Sequence, residues 1–193
     1  MQQMNINIKS VAAKPLHGCD IEQVNDFCGA YLGKGLYTPE SLAEIAKTPN
    51  RFFYAFFDGG EIAAIFYCYC DTGENAAADI SEKILDYCGR DEKVGVFRSI
   101  AVDPKYRGTG LSEQLLDAFG SALFNDYRVS RIFALAWIKG DFIPAGKLLN
   151  GAGFSAACRV SRPWYGVENM VCPFCGGRCR CDGELYMKLR ESD

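Results

Sequence analysis

The chain has 193 residues, a formal net charge of −3, 49% hydrophobic residues, ten cysteines and one histidine. That length accommodates one domain with a small insert, and a core that needs no staples. The near-neutral charge excludes a strongly basic nucleic-acid binder, and the hydrophobic content excludes wholesale disorder.

Asn5–Ala12 alternates apolar and polar residues and reads as a short strand. A helix follows. Asp20 is its N-cap, Gln23 completes a capping box, and Ile21, Val24, Cys28, Tyr31 and Leu32 recur at helical spacing. Gly33 or Gly35 stops it. Thr38-Pro39 opens a second helix, with Leu42, Ile45 and Ala46 as its buried stripe. Arg51–Phe57 and Glu61–Asp71 flank Asp58-Gly59-Gly60 and read as a hairpin. Ile80–Cys88 reads as a short helix capped by Ser81 or Asp79, and Val94–Val102 as a strand. Gly110–Asn125 is an amphipathic helix with Leu111, Leu115, Phe119 and Leu123 on one face. Arg131–Ile138 is a strand apolar on both faces, and Ala145–Ala152 a short helix ended by Gly153. Ser155–Ser161 and Glu184–Arg190 are the last strands. The strand–helix–strand unit at 94–138 implies a parallel pair, and the hairpin implies antiparallel pairing, so the sheet is expected to be mixed.

Between strand and helix runs Val102-Asp103-Pro104-Lys105-Tyr106-Arg107-Gly108-Thr109-Gly110-Leu111-Ser112. Glycines entering a helix leave backbone N–H groups open to a ligand, and the helix dipole favours negative charge there. Arg107 adds a guanidinium, so the loop suits a phosphate or pyrophosphate. A plain two-glycine turn is the alternative. Neither the P-loop pattern nor the dinucleotide fingerprint is present.

Residues 102–116 resemble the central motif of the GNAT acyl-CoA-dependent N-acetyltransferases, [RQ]-x-x-G-x-[GA], read by Arg107, Gly110 and Ser112. Ser112 stands where Gly or Ala is usual. Ala145–Phe154, a helix ending in Gly-Phe, resembles the family's next motif. The resemblance implies an α+β fold of α/β/α type. Its sheet would be mixed and mostly antiparallel, with six or seven strands and a central parallel pair that splays apart. It implies acetyl-CoA as cosubstrate. Arg107, Gly108, Thr109, Gly110, Leu111 and Ser112 would hold the pyrophosphate, and Ile100, Ala101 and Val102 would pair with the pantetheine arm. It implies an amine acceptor, a small molecule or a protein group.

Two positions depart from the family. Val96 stands where some members carry a catalytic Glu, and Leu149 where many carry a Tyr. Tyr165, Tyr69, Asp141 and Glu92 are the substitutes considered, each also readable as structural. Arg98, mid-strand, suits either a substrate carboxylate or an inward salt bridge. His17 reads as a loop residue. The second reading of the chain is therefore a non-catalytic acyl-CoA sensor or a zinc-dependent interaction module on the same fold.

The cysteines amount to about 5% of residues, short of the roughly 8–10% of a disulfide scaffold. Met1–Asn5 lacks the flank and apolar stretch of a signal peptide, and no apolar run is long enough to span a membrane. A cytoplasmic protein with reduced thiols and no membrane or nucleic-acid partner is expected. Cys19, Cys28, Cys68, Cys70, Cys88 and Cys158 are scattered and suit core packing. Cys172, Cys175, Cys179 and Cys181 instead follow C-x-x-C-x-x-x-C-x-C within residues 171–182. That segment is similar to a zinc knuckle and implies a closed, structural four-cysteine zinc site inserted between the last two strands of a single 1–193 domain. A glutaredoxin-like redox pair and an unliganded loop are the alternatives. The first 127 residues hold 18 acidic and 11 basic side chains, and the remainder 6 and 10. Arg178 and Arg180 would offset the charge of such a zinc site.

Overall fold

The computed structural model describes residues 4, 8 and 11–190. Seven strands form one sheet in the order β1-β2-β3-β4-β5-β7-β6. They are β1 (Ala12–Pro15), β2 (Arg51–Asp58), β3 (Glu61–Thr72), β4 (Lys93–Val102), β5 (Arg131–Trp137), β6 (Ser155–Val160) and β7 (Gly183–Leu189). Every neighbouring pair is antiparallel except β4–β5. This is the expected mixed α+β sheet. The expected first strand at 5–12 falls mainly outside the described residues.

Two helical layers cover the sheet because its central strands are apolar on both faces. On β3 the residues alternate. Phe66, Cys68 and Cys70 face the layer of helix α4 (Leu111–Asn125), and Ile65, Tyr67 and Tyr69 face that of α1 (Ile21–Tyr31) and α2 (Pro39–Lys47). Phe66 stacks on Phe119 of α4 at 4.4 Å between ring centroids. The N-caps fall where expected, but the box at Asp20 is not completed, because the Gln23 side chain donates instead to the Gly60 carbonyl at 3.1 Å. Asp20 accepts the N–H groups of Glu22 and Gln23, and Thr38 forms a capping box with Ser41.

One stretch differs from expectation. The helix expected over Ile80–Cys88 is a 3₁₀ turn at Glu82–Asp86, and helix α3 (Gly73–Asp79) precedes it. Thr72 caps α3 by accepting the Asn75 N–H. Gly73 is its first residue because a Cβ there would meet the Gly89 carbonyl oxygen at 2.3 Å. This glycine is required by the backbone at Gly89. Helix α5 (Gly146–Gly151) lies as expected.

Candidate active site and metal centre

Strands β4 and β5 pair only at Gly95–Ile132, Val96–Phe133 and Phe97–Ala134, yet β4 continues to Val102 and β5 to Trp137. Beyond Phe97 the two strands part. A cleft of about 450 Å³ opens there, lined by Phe97–Val102 on one side and Ala134–Trp137 on the other. Backbone groups on the facing edges lose their ladder partners in this gap and are available to a ligand.

The glycine loop closes one end of the cleft. Gly108 and Gly110 adopt left-handed φ of 74° and 81°, and no side chain caps α4. The N-terminal amides of α4 therefore stay open to an anion. Arg107 lines the cleft and donates through Nε to the Val102 carbonyl at 3.2 Å. Asp103 anchors the loop by accepting the Lys105 N–H and, at 2.7 Å, the Tyr31 hydroxyl from the end of α1. The Lys105 N–H first and the Tyr31 hydroxyl second hold the Asp103 carboxyl below its usual range. Ile100, Ala101, Val102, Arg107 and Ser112 all line the cleft. Gly108, Thr109, Gly110 and Leu111 form the turn between them.

The other end is walled by Leu36, Leu135, Trp137 and Trp164. Two polar groups enter it from β4. The β3–β4 register passes from Tyr67–Ser99 to Cys68–Phe97, leaving Arg98 unopposed as a bulge. Arg98 and Ser99 both reach the cleft lining. Arg98 pairs with Asp79 at 3.2 Å, so the salt-bridge and pocket-facing readings of this residue hold together. Ser99 Oγ lies 2.6 Å from the Tyr37 hydroxyl. Burial pushes the Tyr37 phenol well above its ordinary value, so it remains protonated. Sequence reasoning missed Ser99 and Tyr37. Only the bulge brings them together, and no local pattern announces it.

The proposed substitutes for the family's acid and base are placed as follows. Tyr69 is fully buried on β3 and donates to Asp79 at 2.7 Å. Glu92 precedes β4 at the end remote from the gap. It accepts the Gly89 N–H at 2.9 Å and pairs with Arg131 at 2.8 Å. Tyr165 is 42% exposed, with Arg178 stacked on its ring at 3.9 Å. Asp141 lies in the exposed turn closed by Lys139 and Phe142. None of the four lines the cleft. Among the described residues its lining carries Arg98, Arg107 and Lys139 but no carboxylate and no histidine. A second depression of about 470 Å³, beside α2 and the start of β2, is remote from the glycine loop and the cysteine cluster.

The four clustered cysteines lie between β6 and β7, and their Sγ atoms all fall within 4.8 Å of one another. Cys172–Cys181 and Cys175–Cys181 are 3.9 and 3.6 Å apart. A tetrahedron with metal–sulfur bonds of about 2.3 Å has edges of roughly 3.8 Å. The tight turn is made by Cys172 N–H to Gly177 O and Gly176 N–H to Cys172 O, and the Arg180 N–H points at Cys175 Sγ at 3.4 Å. Cys172, Cys179 and Cys181 are buried, and burial pushes the Cys179 thiol up to about 11. The cluster has the dimensions to hold a metal ion. Of the six scattered cysteines, Cys19, Cys88 and Cys158 are half-buried against the core. Cys28, Cys68 and Cys70 are buried, and burial pushes the Cys28 thiol to about 12.

The acetyltransferase (GNAT) family model matches residues 22–154. The chain belongs to the GNAT acetyltransferase family. Its structure is similar to Arabidopsis thaliana NAA60 in complex with acetyl-CoA, with TM-score 0.72, 12% identity, and 93% of this chain and 98% of that one covered. It is also similar to a GNAT-family acetyltransferase from Streptococcus pneumoniae, with TM-score 0.60, 16% identity and coverage of 94% and 99%. A third is a spermidine N-acetyltransferase chimera from Vibrio cholerae and hSSAT, with TM-score 0.62, 11% identity and coverage of 94% and 96%. No curated protein matches the sequence. Among the described residues no helix is long and apolar enough to cross a membrane.

Proposed function

We propose that this protein is an N-acetyltransferase that moves an acetyl group from acetyl-CoA to an amine. The observation that carries this reading is the parting of β4 and β5 after Phe97 and Ala134, next to the open amides of α4. Arg107, Gly108, Thr109, Gly110, Leu111 and Ser112 hold the pyrophosphate. Ile100, Ala101 and Val102 bind the pantetheine amides along the unpaired edge. A backbone N–H of that edge stabilises the tetrahedral oxyanion. The amine nitrogen forms a bond to the acetyl carbon, the carbon–sulfur bond breaks, and the proton lost by the amine nitrogen passes to the departing thiolate to give the free thiol of coenzyme A. Ser99, bonded to the Tyr37 hydroxyl, is the neutral hydroxyl placed to relay a proton there.

The lining also bears on the acceptor. Among the described residues the cleft wall carries no carboxylate and no histidine, which favours an amine that arrives largely neutral. At pH 7.5 an α-amine of pKa about 7.8 is roughly one-third neutral, and an alkyl ammonium of pKa about 10.4 roughly one part in a thousand. Lys139, whose ammonium lies over the Trp137 ring in the acceptor wall, further disfavours a polycation. We read the acceptor as an α-amine.

The Cys172, Cys175, Cys179 and Cys181 cluster is proposed as a structural zinc site. Four thiolates close the coordination sphere and leave no open position.

The test is release of coenzyme A from acetyl-CoA at pH 7.5 with an alanyl tripeptide, Nα-acetyl-lysine amide or spermidine as acceptor. Faster release with the tripeptide than with the other two supports the reading. Preference for spermidine overturns the acceptor class. Tight acetyl-CoA binding with no release above background from any amine establishes the sensor reading instead.

A further inference from the structure

The loop between α1 and α2 and the cysteine-rich insertion meet backbone to backbone. The Val171 N–H donates to the Lys34 carbonyl at 2.8 Å. Gly33 and Gly35 have φ of 116° and 78°. A Cβ at Gly35 would lie 2.4 Å from the Asn169 carbonyl oxygen, and one at Gly33 would lie 2.9 Å from that of Val171. No other residue permits this approach. Leu36, just after these glycines, packs into an apolar cluster with Trp164, Met170, Cys172, Cys179 and Cys181, which Leu135 and Trp137 of β5 join. The Trp137 and Trp164 rings are 5.2 Å apart. Leu36, Leu135, Trp137 and Trp164 are also cleft wall. The same four side chains therefore pack against the cysteines of the insertion and line the outer end of the cleft.

We propose that the metal-loaded insertion is a clamp on the α1–α2 loop that sets the acceptor wall of the cleft, so that acceptor binding depends on the metal and acetyl-CoA binding does not. The proposal rests on the zinc and acetyl-transfer readings above. A turn as short as 171–181 has little core of its own, so the metal supplies its order. That order is transmitted through Val171 and Leu36 to the loop. The glycine loop is held by bonds to Val102, Asp103 and Tyr106 and by the Tyr31 hydroxyl on Asp103, and none of these groups belongs to the insertion.

The experiment uses the full chain, its metal content measured, before and after stripping with EDTA. The protein has two tryptophans, and both lie in the apolar cluster that the clamp packs on, so intrinsic emission reports on it directly. Stripping is expected to speed amide exchange at residues 33–37 and at Val171 by at least about tenfold and to shift emission to the red. The acetyl-CoA Kd measured by calorimetry should stay within about twofold. Gly35→Ala, which leaves all four thiols in place, should loosen the same amides with the metal retained. Metal loss with unchanged exchange and emission overturns the clamp and leaves the metal site standing. A parallel collapse of acetyl-CoA affinity in a chain that otherwise stays folded overturns the separation of the two ends. Absence of metal from the untreated chain overturns the metal dependence, and absence of acetyl-CoA binding by that chain overturns the transferase reading on its own. If stripping unfolds the whole chain, Gly35→Ala decides, and unaltered exchange at 33–37 in that variant overturns the proposal.

Discussion

Phe97 and Ala134 are the last residues at which the two parallel strands pair. Everything proposed for the cosubstrate depends on what lies beyond them. The strands continue for several residues with facing backbone edges and no ladder between them. An unpaired edge in an apolar cleft is costly unless a ligand's amides or water complete it.

Arg107→Glu is expected to raise the Kd for acetyl-CoA roughly 10- to 100-fold, because it replaces a charge-assisted donor with a repelling carboxylate. Gly110→Val should act in the same direction, since φ of 81° is strained for a β-branched residue. Calorimetry reads both, with circular dichroism as the control for folding. An unchanged Kd in both variants would remove the pyrophosphate from this loop.

The Tyr37–Ser99 contact can be weighed by a double-mutant cycle. Tyr37→Phe and Ser99→Ala are each expected to destabilise the protein in urea, with a coupling of about 1 kcal/mol. Additive losses would show that the 2.6 Å contact contributes nothing. Ser99→Ala should also lower kcat with little change in acetyl-CoA affinity, as a proton relay requires.

Metal analysis of tag-free protein is expected to find about one zinc per chain. Cys175→Ser should lose most of it and lower Tm by roughly 5–15 °C. Cys28 should resist thiol reagents at neutral pH, because burial holds it protonated. Stoichiometric zinc in Cys175→Ser would contradict the ligand set.

Glu92 makes stability depend on acid. The Ser130 hydroxyl, then the Gly89 N–H and Arg131, hold its carboxyl below the ordinary value against the opposing effect of burial. A depressed folded value means that the stabilisation is complete above the unfolded value of about 4.3. It is lost as pH falls through the folded one. Glu92→Gln should therefore cost about 1 kcal/mol at pH 7, and the two proteins should converge in stability well below about pH 4. A difference that persists at low pH would mean that packing, and not charge, accounts for it.

Local chemistry alone determined the order of elements, the caps at Asp20 and Thr38, the glycine loop before α4 and the four-cysteine spacing. Each depends on neighbours within a few residues, where dihedral preference and periodicity act directly. Helix α3 escaped because its first residue is a glycine demanded by Gly89, far along the chain. The acceptor side of the cleft escaped for a related reason. A bulge at Arg98 shifts the strand's phase by one residue, and period-two counting cannot foresee which side chains then enter the cleft. That Ser99 meets Tyr37, and that the cysteine turn lies against Gly33 and Gly35, was decided only by packing between segments tens of residues apart. There, shape and burial select partners that no single stretch of chain encodes.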